Sequence, residues 1–237
     1  YAPIYCASGL EALRFGLVFL WRRGDTPLGA TNTIGLDFSP DSYASSSEDQ
    51  RMTLQGHPSV RVHESTTLHS GRVFDLVHQR IELPSGLRQE LDLIEHAGAV
   101  AIAALGPDGR LLVVQQYRAS VGDWLLEIPA GRLEQDEDPL TAAARELEEE
   151  TGHRAQVWEL LRTIIPAPGF ASERIYLYLA TDLELIANGG LACDEDEELD
   201  VSWQSTQDII ATNPDAKSLI AALLVDRRLQ SASEPRS

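Results

Sequence analysis

Residues 131–153, GRLEQDEDPLTAAARELEEETGH, place eight carboxylates on 23 positions, three of them consecutive at Glu148, Glu149 and Glu150. Like charges on neighbouring helical positions repel, so the stretch needs a counter-charge from water, arginine or a metal ion. Glu146 and Glu150 are four apart and share a helix face, and Arg145 and Glu149 stand in the same relation and can pair. Arginine covers only part of the charge. The remainder is a cluster of hard oxygen donors beside a glycine bend. Mg²⁺ suits such a place, taking one or two carboxylates, several waters and the phosphates of a substrate. For an isolated helix, a solvated acidic face is the ordinary reading of the same residues.

The elements that must position this chemistry read as follows. A helix runs from about Pro139 to Thr151, with Pro in its first turn and Gly152 as its stop. Leu140, Ala143, Ala144, Leu147 and Thr151 form its expected buried stripe. Ahead of it, GAVAIAAL (98–105) and RLLVVQQY (110–117) read as buried strands joined by a turn at Gly106-Pro107-Asp108-Gly109, and WLLEIPAG (124–131) as a strand running into a bend. After it come the strands QVWELLRTII and RIYLYLATDLELI, an acidic loop at 193–200, a short strand VSW, and helices near 205–212 and 215–229. Upstream, residues 58–96 alternate apolar with polar side chains as half-buried antiparallel strands do, with a hairpin turn at Pro84-Ser85-Gly86. The pattern predicts an α/β protein, a mixed sheet flanked by helices. Residues 1–51 read as a weakly ordered N-terminal extension or as a non-native segment ahead of a start at Met52, because the Ser- and Asp-rich run 32–51 has no period and the chain's single Met is Met52. Residues 52–96 read as an N-terminal β lobe, 97–229 as the main domain and 230–237 as a tail.

The 237 residues carry a formal charge of −18 with a pI of about 4.6. That balance argues against nucleic acid or an anionic membrane as partner, which call for clustered Lys and Arg. Cys6 and Cys193 supply neither a disulfide framework nor a zinc site, and a reducing cytoplasm is the expected location. The longest apolar run, FGLVFLW (15–21), is too short to span a bilayer.

Read from Gly131, the spacing is Gly, five residues, Glu137, seven residues, then Arg145-Glu146-Leu147-Glu148-Glu149-Glu150-Thr151-Gly152. This resembles the Nudix box, Gly-x5-Glu-x7-Arg-Glu-U-x-Glu-Glu-x-Gly-U, at every fixed position; the final bulky apolar U is His153 here, at a position that packs rather than catalyses. The resemblance implies a Nudix-type α/β/α sandwich whose box forms a loop–helix–loop, and hydrolysis of a nucleoside diphosphate linked to another moiety. It also implies metal ligands at Glu146 and Glu150, with the Ala130 carbonyl adding another, and at Glu149 a ligand or base. Arg145 would orient the glutamates and Glu137 brace the loop, with Gly131 and Gly152 structural.

Other stretches are similar to the ADP-ribose pyrophosphatase branch. Pro168 lies 15 residues after His153, and VVQQYR (113–118) is followed by EIPAGRLE (127–134). The strand-rich 58–96 resembles a lobe exchanged across a homodimer, and DEDEELDV (194–201) resembles a loop that supplies the base. By this resemblance Arg118 contacts the diphosphate, Glu195 is the base and Glu197 a further ligand, with two to three Mg²⁺ (or Mn²⁺) ions and AMP and ribose 5-phosphate as products. Glu127 would face the adenine side and Glu173 a ribose hydroxyl; a surface or strand-end glutamate without a role is the other reading of each. The rivals are a pyrophosphatase for another nucleotide sugar or dinucleotide, and a catalytically silent nucleotide-binding module, which would tend to lose box glutamates. A Ca²⁺-binding reading fails because 194–200 lacks EF-hand spacing.

Overall fold

The structure, a computed structural model, describes residues 57–186 and 199–233. It opens with an antiparallel sheet of order β1-β2-β3, formed by β1 (Arg61–Ser70), β2 (Asp75–Glu82) and β3 (Arg88–Glu95). β2 buries Val77 and Gln79 on alternate positions, as its pattern predicts, whereas β1 is exposed along its whole length. Alternation on β1 therefore marks two faces without burying either.

The rest of the chain forms the body. Its strands are β4 (Ala99–Ala104), β5 (Arg110–Arg118), β6 (Asp123–Glu127), β7 (Ala130–Arg132), β8 (His153–Ile164), β9 (Ile175–Leu185) and β10 (Asp200–Ser205). Its helices are α1 (Pro139–Thr151), α2 (Thr206–Thr212) and α3 (Ala216–Ser233). One sheet has the order β7-β4-β9-β8, with β4 and β9 parallel and the other pairs antiparallel; a second has the order β10-β5-β6. β4 and β5 touch at the bridge Leu105–Leu111 beside their turn and then part into the two sheets. The Pro-Ala-Gly bend carries a strand that the sequence did not disclose, three-residue β7 against β4. α3 continues to Ser233, past the end expected at 229.

All six residues of β4 are buried. Val100, Ile102 and Ala104 face α1, packing with Ala142, Ala143 and Leu147. Ala99, Ala101 and Ala103 face the other way, into a core with Ile209 of α2 and Ala221, Ala222 and Val225 of α3. Because successive strand side chains point to opposite faces, this one strand separates the helical layers of an α/β/α sandwich. The buried face of α1 is turned from the expected stripe: Ala142 takes the interior place, Leu140 is 40% exposed and Ala144 is exposed. The turn brings Glu150, also buried, toward the bend at Ala130.

Candidate active site

α1 is fixed by local chemistry at both ends. Asp138 caps it, its carboxylate accepting from the Leu140 and Thr141 N–H groups at 3.1 and 3.0 Å, and Pro139 needs no donor there. Gly152 closes it at φ 67°, a left-handed conformation that glycine adopts without steric cost, donating its N–H to the Glu148 carbonyl. His153 packs, its ring meeting Trp203 edge-on at 6.0 Å.

The three consecutive glutamates point to three different partners. Glu148 receives two hydrogen bonds from Arg154, at 2.7 and 2.9 Å, away from the bend. Glu149 accepts from Arg145 Nη1 at 2.8 Å. Glu150 accepts from the Ala130 N–H at 3.0 Å. Arg145 is a hub: the same Nη1 reaches Glu146 at 2.8 Å, while Nε and Nη2 hold Glu137 at 3.0 Å each and Nη2 also reaches the Arg132 carbonyl at 3.2 Å. These bonds raise the Arg145 pKa above its ordinary value, and the Arg145 hydrogen bond holds the Glu137 carboxyl below its own. Glu137 also accepts from the Glu134 N–H at 3.0 Å, tying the loop to the helix.

Gly131 makes the close approach possible. A Cβ at that position would lie 1.8 Å from the Glu146 carboxyl carbon and 1.9 Å from its Oε1, so only a glycine lets the carboxylate rest on the backbone. Around the Ala130–Gly131 bend, Glu137, Glu146 and Glu149 thus gather against the single guanidinium of Arg145, with Glu150 on the Ala130 N–H. No group of three His, Cys, Asp or Glu side chains makes a ready cage among the described residues. The donor set still fits Mg²⁺, which needs only one or two carboxylates and fills its other positions with water and substrate oxygens.

On the other side of the bend cations and carboxylates balance. The Glu127 carboxylate, 2% exposed, receives Arg118 Nε and Nη2 at 2.6 and 2.8 Å and also pairs with Lys217. Burial pushes Glu127 up, but the Arg118 hydrogen bonds and the charge and hydrogen bond of Lys217 outweigh it and hold the carboxyl below its usual range. The Glu127 hydrogen bonds, with the charges of Glu150 and Asp215 as lesser contributions, hold the Arg118 guanidinium above its ordinary pKa.

The NUDIX domain profile matches residues 95–223, more than half of the chain. This chain belongs to the Nudix family. It is 42% identical over 134 residues to the methanol dehydrogenase activator of Bacillus methanolicus, covering 56% of this chain and 72% of that one. It is 36% identical over 143 residues to the ADP-ribose pyrophosphatase of Bacillus subtilis, covering 60% and 77%. The crystal structure of an ADP compounds hydrolase superposes with a TM-score of 0.64 at 23% identity, over 76% of this chain and 98% of that chain, a likeness of fold.

In this Nudix hydrolase Pro168 sits exposed in a turn spanning Ala167–Ala171, closed by the Ala171 N–H on the Ala167 carbonyl at 2.9 Å. The loop docks on β3: the Ile94 N–H donates to the Phe170 carbonyl at 2.7 Å and the Ser172 N–H to the Ile94 carbonyl at 2.9 Å. Glu173 follows, facing His96. Burial holds the His96 ring below its usual pKa, Glu173 opposes this, and Arg132 adds to it. His96 Nδ1 accepts from the Gly98 N–H at 3.0 Å, so the neutral ring carries its proton on Nε2. Glu195 and Glu197 lie outside the described residues. Sequence reasoning missed Lys217, Arg154 and His96. One signal for the first was present: Lys217 is the only lysine in the chain, beside 18 arginines.

Proposed function

We propose that this enzyme hydrolyses the diphosphate bond of ADP-ribose, or of a closely related ADP-sugar, to AMP and a sugar phosphate in the presence of Mg²⁺. The observation that carries the reading is the placing of the Glu146, Glu149 and Glu150 carboxylates on one side of the bend and the Arg118 guanidinium, oriented by Glu127, on the other. A nucleoside diphosphate with its divalent cations has that charge pattern. The names of the relatives, an ADP-ribose pyrophosphatase among them, favour the adenosine series.

In this reading Glu146, Glu149, Glu150 and the Ala130 carbonyl hold the cations, with Glu197 as a further ligand. Bound there, divalent cations supply neutralisation of the diphosphate oxygens and a water of lowered pKa. Arg118 takes a diphosphate oxygen by charge-assisted hydrogen bonding. Arg145 fixes the directions of Glu146 and Glu149 and spreads their charge. Glu195 removes the proton of the attacking water, with Glu149 as the alternative base. Glu127 acts through Arg118, and Glu173 and the Pro168 turn border the sugar side. Residues 52–96 form a dimerisation lobe, supported by exposed apolar side chains at Val62, Leu68, Val73 and Phe74. Light scattering after size exclusion tests this: a monomer near 26 kDa removes the dimer from the proposal.

The deciding assay compares ADP-ribose, GDP-mannose, NADH and dGTP with Mg²⁺, with and without a chelator. ADP-ribose is expected to be cleaved best, to AMP, and chelator to stop the reaction. Preference for another substrate retains the box chemistry and overturns the adenosine assignment; nucleotide binding without cleavage overturns the hydrolytic roles.

A further inference from the structure

Residues 126–128, which lead into the Pro129-Ala130-Gly131 bend, are held one after another by the junction between α2 and α3. Asn213 Nδ2 donates to the Leu126 carbonyl at 2.7 Å, Lys217 pairs with the Glu127 carboxylate, and the Ile128 N–H donates to Ser218 Oγ at 2.8 Å. Asp215 completes the knot, accepting from the Ser218 N–H at 3.0 Å and its hydroxyl at 2.5 Å, and pairing with Lys217 at 3.1 Å. Lys217 is 13% exposed in its side chain, in a chain that otherwise uses arginine for every basic position. An ammonium is a compact point charge, whereas a guanidinium is a planar fork that claims both carboxylate oxygens. At Glu127 the fork is Arg118, and the remaining room takes an ammonium.

The ammonium changes what Arg118 can do. Arg118 commits Nε and Nη2 to Glu127, and Asp215 balances the ammonium, so the knot holds two cations and two carboxylates. Lys217 pins the Glu127 carboxylate, and the pinned carboxylate in turn fixes the direction of the Arg118 fork. We propose that Lys217 is a positioning residue for substrate binding: by sharing Glu127 it keeps the Arg118 guanidinium oriented at the bend and available to a diphosphate oxygen. The inference rests on the reading of Arg118 as the diphosphate contact.

The test is a double-mutant cycle on the full chain, with steady-state kinetics on whichever nucleoside diphosphate of the panel is cleaved best. Lys217→Met is expected to raise KM about tenfold, equivalent to about 1.4 kcal/mol, and to leave kcat within about twofold, the signature of lost substrate binding rather than lost chemistry. Lys217→Arg, which keeps the charge but brings a second planar fork to a carboxylate that Arg118 already holds, restores KM only in part. In an Arg118→Met background, Lys217→Met adds no further rise, because its effect passes through Arg118. Independent, multiplicative effects of the two substitutions overturn the role of Lys217 while leaving Arg118 as a ligand. A KM unchanged by Arg118→Met overturns the diphosphate contact and, with it, this inference. Should Lys217→Met fail to fold, Lys217→Gln, which keeps a donor for Glu127, takes its place in the same cycle with the same criteria.

Discussion

Two ionic clusters flank the Ala130–Gly131 bend, one short of cations and the other balanced. On the α1 side one guanidinium, Arg145, serves Glu137, Glu146 and Glu149, with Glu150 close by on the Ala130 N–H. On the β6 side Glu127 serves Arg118 and Lys217, and Asp215 pairs with Lys217 in turn. A cluster short of positive charge holds its carboxylates together at a cost that a divalent cation relieves; a balanced cluster fixes the direction of its guanidinium without that cost. In the proposed reading the first takes the cations and the second lends Arg118 to the diphosphate, in a chain whose net charge is −18.

The sharpest way to break the contrast is Glu150→Gln. The amide oxygen still accepts from the Ala130 N–H, so the bend survives while one anionic ligand is lost; kcat/KM is expected to fall about 10²–10³-fold with an unchanged circular dichroism spectrum. Gly131→Ala comes next. Its methyl group displaces the Glu146 carboxylate without altering any charge, and activity should fall about 10–100-fold, recovered in part by raised Mg²⁺. The acid limb of stability reads both clusters at once. Glu137 and Glu127 each titrate below the ordinary carboxylate value of 4.5 in the folded state, so their contribution is complete above about that pH and is lost as pH falls through their depressed folded values. Urea midpoints measured from pH 7 to 3 should stay level and then drop, and Arg118→Met should shallow the drop by removing one of the two partners that hold Glu127 down. The smallest effect belongs to Arg154→Met. Its partner Glu148 stands on the same helix but faces away from the bend, so kcat/KM should not change; a loss like that of Glu150→Gln would mean that acidity, not direction, is what matters on α1.

Much of this could be read from the chain because its signals are local. Pro139 and Gly152 punctuate α1 at its ends, and the box spacing names the acidic residues that meet Arg145; the Asp138 cap was equally local and went unread. The other unread parts depend on distant partners. The buried face of α1 turns toward Ala142 because it packs over the β7-β4 edge of one sheet, which no local pattern announces; β7 itself exists only because β4 offers an edge to three residues that resemble a bend. Lys217 was conspicuous as the sole lysine, but nothing in its neighbours Ala216 and Ser218 points to Glu127, 90 positions earlier. The alternating pattern of β1 implied burial that β1 does not have, since period two reports two faces and not what covers them.

β4 sits at the centre of both hydrophobic cores, with alternate side chains committed to each. In thermodynamic terms the two helical layers cannot melt separately: opening either strips one face of the strand that supports the other. Amide protons of Val100–Ala103 should therefore exchange only through global unfolding, at one common rate. A cavity cut on the α3 side, as by Val225→Ala, should speed exchange in α1 as much as in α3, so that a substitution with no contact to the box helix still governs how long the glutamates stay in place.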